Sequence, residues 1–199
     1  MTSPNPIYIQ DIFAEIVAKV SAEMLPTLQA LNAEKGYELT GVHYQYGTGY
    51  EIIETLNQMS LNDTNVNKYP LICLFLDVKE EFGTAPGIYS NIPELRIAIC
   101  NSTDSNFKAY QRDELNFKPI LTPIYQSLLR QISLTKNTFV GVGNPENLRH
   151  DAKRNYFWGR EGVYGKEGAV FNDKLDAIEI TFRNLKINSS YCPPSVVVV

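Results

Sequence analysis

Histidine, cysteine and tryptophan are scarce in this chain: two, three and one among 199 residues. His43 and His150 form no HExxH, HxH or i, i+4 pair, so the spacing that holds a catalytic or structural metal is missing. Cys73, Cys100 and Cys192 form no CxxC motif. Cys73 and Cys100 lie inside apolar runs, where a thiol behaves as a small buried hydrophobe, and the odd count fits a reducing compartment. No apolar run approaches the ~20 residues a membrane-spanning helix requires. The opening MTSPNPIYIQ has neither the basic start nor the apolar stretch of a signal peptide, so a soluble chain made in the cytoplasm is expected.

Positive charge is also in short supply. Eighteen basic residues against 22 acidic ones give a net charge of −4, which argues against a module that grips nucleic acid phosphates. Gly47-Thr48-Gly49 and Gly141-Val142-Gly143 complete neither GxGxxG nor GxxxxGK[ST], and read as loop punctuation. The carboxylate pairs Glu80/Glu81 and Asp173/Asp176 stand in turns beside strands, where solvated turn chemistry is the simplest reading. A cofactor has no motif to hold it. The remaining enzymatic alternative is a small cytosolic enzyme or binding module whose site is assembled from His43, His150 and the acidic turns.

What is present is enough apolar sequence for one core. Hydrophobic residues make up 44% of the chain, and the length suits one domain. Ile9, Ile12, Phe13, Ile16, Val17, Val20 and Met24 follow the spacing of a helix face, which Pro26 is expected to end or kink. A short strand through Val42, Tyr44 and Tyr46 precedes a helix over 51–59. PLICLFLDV (70–78) and ELRIAICN (94–101) read as central strands, and NSTDSNFKAYQRDE as a surface excursion. A second amphipathic helix carries Ile120, Leu121, Ile124, Leu128 and Ile132, with Pro119 in its first turn. Thr138 to Val142 offers a further strand, and Ile178, Ile180 and Phe182 alternate along another. The expected class is α+β, a predominantly antiparallel sheet with amphipathic helices mainly on one face.

Residues 1–192 are expected to form the single domain, with 143–170 a projecting hairpin or loop and 193–199 an extended tail. The hairpin combines Arg154, Tyr156, Phe157, Trp158 and Arg160, residue types enriched at protein interfaces. In the tail, two prolines precede Val196, Val197, Val198 and Val199, four β-branched residues with strand propensity. Both stretches are expected to contact neighbouring subunits.

The element order resembles bacteriophage tail terminator or tail completion proteins. The likeness rests on an N-terminal helix, the strand Tyr69-Pro70-Leu71-Ile72-Cys73-Leu74, the strand from Glu94 to Cys100, the helix KPILTPIYQSLLRQI, a projecting hairpin and the strand DAIEITF. KPILTPIY and DKLDAIEITFRNLKI are also similar to neck proteins of crAss-like phages. The likeness covers residues 9 to about 188, with departures at 36–60 and 143–170. It implies a tail-terminator-like fold without enzymatic chemistry: a sixfold or twelvefold homo-oligomeric ring in the virion neck. The implied partners are adjacent portal, connector or tail proteins, and genomic DNA passing through the lumen without sequence-specific binding. Net negative subunits suit such a conduit, since phosphate is not held to its wall.

Overall fold

The N-terminal helical face extends further than its proline allows for. In the computed structural model, which describes residues 8–62, 67–83, 85–135, 138–159 and 173–190, helix α1 spans Ile9–Lys35 and runs through Pro26. An interior proline costs about 3 kcal/mol. Met24, Leu28 and Leu31 continue the buried stripe on both sides of it. Each such side chain returns roughly 1.5–3 kcal/mol on burial, so packing outweighs the lost backbone bond and the helix does not end at Pro26. Gly36 ends the helix at φ 68°, a left-handed conformation that glycine adopts without Cβ strain, and donates its N–H to the Asn32 carbonyl at 2.9 Å.

The sheet contains β1 (His43–Gly47), β2 (Leu71–Phe75), β3 (Glu81–Phe82), β4 (Ile88–Ser102), β5 (His150–Asn155) and β6 (Leu175–Asn188). Its spatial order is β1-β2-β4-β6-β5, with β3 paired to the outer half of β4. The β1–β2 pair is parallel and the other pairs are antiparallel, leaving an open, antiparallel-dominated sheet. A parallel pair needs a crossover, and helix α2 (Gly49–Asn62) supplies it. The segment from Thr138 to Val142 contributes only an isolated bridge, Phe139 to Ile187, instead of a strand.

The polar stretch before the second amphipathic helix is structured. Helix α3 (Ala109–Arg112) leads into a π-helical stretch, Asp113–Leu121, and then into α4 (Thr122–Leu134). Pro119 therefore lies inside the helical run, where its missing N–H suits a departure from the i→i−4 ladder.

Helices cover mainly one face of the sheet, as expected, and α2 covers the other. Side chains of α1, the π-helical stretch and α4 pack with Ile72, Leu74, Ile97, Ile99, Ile178 and Ile180 on one face. On the other, Ile52, Ile53 and Leu56 of α2 meet Leu71, Cys73, Phe75, Ala98, Cys100 and Ala177. The alternation of β4 and β6 between these clusters is interrupted at one rung. Pro93 and Asn184 lie between the partners Glu94↔Arg183 and Ile92↔Leu185, and Asn184 has φ 55°. Leu95 and Ile92 both join the helix-covered cluster, as do Phe182 and Leu185, although each pair is three residues apart. Both strands turn over together there, so register is kept while the faces exchange.

Candidate functional site

Arg112 is the largest fully buried side chain of the described residues, although it emerges from a polar run. Its Nη1 donates to Asp176 Oδ1 at 2.7 Å and to Thr103 Oγ1 at 3.1 Å, its Nη2 to the Asp104 carbonyl at 2.7 Å, and its Nε to the Phe107 carbonyl at 3.0 Å. Asp176 is also fully buried and accepts from Asn116 Nδ2 at 3.1 Å and from the Phe157 backbone N–H at 3.2 Å. A buried ion pair needs this completeness, because uncompensated desolvation of either charge costs several kcal/mol. The guanidinium lies 3.7 Å from the Phe157 ring centroid. Phe157 takes φ 54°, an uncommon conformation for a bulky residue, and its contacts to Arg112 and Asp176 hold it there.

The aromatic segment after β5 is thereby fastened to the body. Trp158 is only 5% exposed. Its backbone N–H donates to the Leu175 carbonyl at 2.7 Å, its indole Nε1 donates to Glu179 Oε1 at 2.7 Å, and its ring meets Phe75 edge-on at 6.3 Å between centroids. The expectation that Trp158 faces a neighbouring subunit is corrected: it closes the α2-side core, where an apolar ring with one satisfied N–H is favourably placed. Likewise β5 does not project alone, since all six of its residues pair with β6.

Two residues of the segment keep a surface. Tyr156 is 43% exposed, donates its hydroxyl to Asp113 Oδ1 at 3.2 Å and stands edge-on to Phe117 at 5.3 Å. Partial desolvation, followed by the bond to Asp113, raises its pKa. Arg154 is exposed, 4.0 Å from Asp113 Oδ1, with its guanidinium over Phe117 at 5.7 Å. Tyr110, three residues before Asp113, is exposed as well. Arg160 and Val196, Val197, Val198 and Val199 lie outside the described residues.

The structure does not bring the two histidines together. His43 is on β1 and His150 on β5, opposite edges of the sheet, so four strand spacings of ~4.8 Å separate them. His43 Nε2 lies 3.4 Å from Thr40 Oγ1, and burial lowers its pKa. His150 donates Nδ1–H to the Leu148 carbonyl at 2.7 Å, leaving Nε2 to accept from the Tyr125 hydroxyl at 2.6 Å. The acidic turns also separate: Asp176 serves Arg112, while Asp173 pairs with Lys68 at 2.6 Å and accepts from the Tyr69 hydroxyl at 2.8 Å. Burial, with Cys73 beside it, pushes the Cys100 thiol well up, keeping it protonated. Among the described residues, no group of three or more His, Cys, Asp and Glu side chains is placed to hold a metal ion.

The glycine clusters have local tasks. Thr48 and Glu51 cap α2 reciprocally: Thr48 N–H donates to Glu51 Oε2 at 2.8 Å, and Glu51 N–H to Thr48 Oγ1 at 3.3 Å. The second cluster borders a groove of about 420 Å³ whose lining includes Arg149, Arg183, Lys186, Val140 and Asn91. Arg183 already pairs with Glu94 at 2.6 Å and Asp151 at 3.2 Å.

Two unlike surfaces therefore sit at opposite margins of the sheet. At one edge, β1 carries exposed Tyr46 and half-buried Tyr44 with no charged side chain; at the other, β5 carries Asp151, Lys153 and Arg154 and leads into Tyr156. Sequence reasoning singled out the second margin and missed the edge character of β1, which depends on its parallel pairing. Arg112 was also missed, because its partner is 64 residues away. No protein-family model matches this chain, and no curated protein matches it.

Proposed function

We propose that this chain is a structural subunit of a bacteriophage neck or tail top, forming a ring through which the genome passes. The observation that carries this reading is the unlike character of the two sheet margins. A closed ring of identical subunits needs two different, complementary patches on each copy. An uncharged, tyrosine-bearing edge at β1 and an aromatic-basic margin around Arg154 and Tyr156 meet that requirement on opposite sides of one sheet. The element order on which the sequence resemblance rests supports the same reading: α1, the Tyr69-Pro70-led β2, β4, the helical run into α4, and β6. The lumen would take DNA without sequence preference, and portal, connector or tail proteins would be the axial neighbours.

The test is electron microscopy of the purified chain, alone and mixed with the portal protein of its phage, with light scattering to give the mass. Sixfold or twelvefold rings, alone or on the portal, are expected. A chain that stays monomeric with the portal present overturns the reading. The histidine-centred enzyme gains no support from residues at opposite edges of the sheet.

A further inference from the structure

The edge of β1 has an unused row of backbone groups. In the parallel register, His43 N–H donates to the Pro70 carbonyl at 2.9 Å and Leu76 N–H to the Gly47 carbonyl at 3.0 Å. Alternate residues of a strand address the same neighbour, so His43, Gln45 and Gly47 face β2, while the N–H and C=O of Tyr44 and Tyr46 point to the open side. Among the described residues, no strand pairs there. Open edges are normally blunted by charge, above all lysine. The β5 edge obeys this with Asp151, Lys153 and Arg154, but HYQYG has no Lys, Arg, Asp or Glu. Tyr44 and Tyr46 lie on one face with ring centroids 6.0 Å apart, and Tyr46 is 48% exposed. The edge thus offers two donors, two acceptors and an aromatic wall.

We infer that this slot receives Val196–Val199 of a second copy as an added strand. The inference rests on the ring reading for its context and on geometry for its occupant. Four β-branched residues suit a strand about the length of β1, and proline, as at 193 and 194, disfavours helix and favours extended backbone. The same molecule's valines do not reach. Asn188 pairs with Ile88, whereas Tyr46 aligns through Leu74 with Ile97, nine residues further along β4. That is about 30 Å along the strand, before crossing the sheet. Ser190 to Val196 spans at most about 22 Å fully extended. Passed on from copy to copy instead of exchanged between two, a tail in its neighbour's edge makes a head-to-tail contact, the kind that closes into a ring.

The experiment uses the full chain with Cys192→Ser, which removes the thiol next to the tail. One variant carries Tyr46→Cys and a second Val197→Cys; they are mixed at ring-forming concentration and oxidised. A disulfide joining one chain of each kind is expected. In the unmodified chain, amide exchange at Tyr44 and Tyr46 should be at least tenfold slower than in a chain ending at Ser190. Tyr46→Pro, which removes an outward-facing N–H and an exposed ring but no bond to β2, should abolish the protection at Tyr44 while leaving the monomer folded. Absence of the cross-link up to millimolar chain, a link within one chain, or unchanged exchange on truncation each overturns the inference. Rings that survive truncation overturn it and leave the ring reading standing. Cross-linking into open chains without rings sustains it and overturns the ring reading.

Discussion

Arg112 and Phe157 are stacked at 3.7 Å, joining the helical run to the segment after β5 above the shared carboxylate of Asp176. One contact thus ties together a residue from an apparently loose polar stretch and a residue from an apparently projecting loop.

Replacing Arg112 by Met strands the Asp176 carboxylate without its charge partner. A loss of about 3–5 kcal/mol is expected, the range for breaking a buried pair from one side. Asp176→Asn should cost a comparable amount, because it leaves the buried Arg112 guanidinium without its counter-charge. Urea unfolding of the monomer measures both, and a negligible loss for either would show that the ion pair is not what matters at this site.

Trp158 reports on its own core. Its emission should be blue-shifted in the monomer relative to the unfolded chain and should not move when rings form, since Phe75 and Glu179 already surround it. A shift on assembly would place the indole at a subunit contact.

His43 gives the stability a pH dependence of known sign. Burial lowers its pKa, so the unfolded chain binds that proton more readily than the folded one. Its contribution is fully present above the ordinary value of ~6.5 and is lost as pH falls below it towards the depressed folded value. The urea midpoint of the unmodified chain should therefore fall relative to that of His43→Gln between pH 7.5 and 5. A constant difference across this interval contradicts the assignment.

Arg154→Glu reverses charge at the aromatic-basic margin, on an exposed side chain whose contacts to Asp113 and the Phe117 ring are loose, at 4.0 and 5.7 Å. Monomer stability should change by less than ~1 kcal/mol, as for an exposed ion pair, while ring assembly drops severalfold. Unimpaired rings would move the subunit contact elsewhere.

Elements whose burial follows a local period were legible in the sequence: the α1 face, the continuous apolar runs of β2 and β4, the alternation of β6 and the burial of Cys73 and Cys100. Features set by distant partners were not. Arg112 reads as solvated until β6 delivers Asp176, and Trp158 reads as exposed until α2 and Phe75 cover it. The path of α1 through Pro26 required weighing a local cost against burial supplied by the sheet and α4. Of the candidate site, Arg154 and Tyr156 were singled out from composition, whereas the β1 edge needed strand order, which short-range pattern does not encode.

The rung formed by Pro93 and Asn184 has the character of a spacer. Without both residues, Leu95, Glu94 and Ile92 would alternate continuously, as would Phe182, Arg183 and Leu185, and every remaining pair would keep its partner. Loss of either one alone would slide one strand against the other and send the residues beyond to the wrong partners. The two positions, 91 residues apart in the chain, are thus bound to be gained or lost together, and a lineage that shortened this strand pair would have to shorten both strands at once.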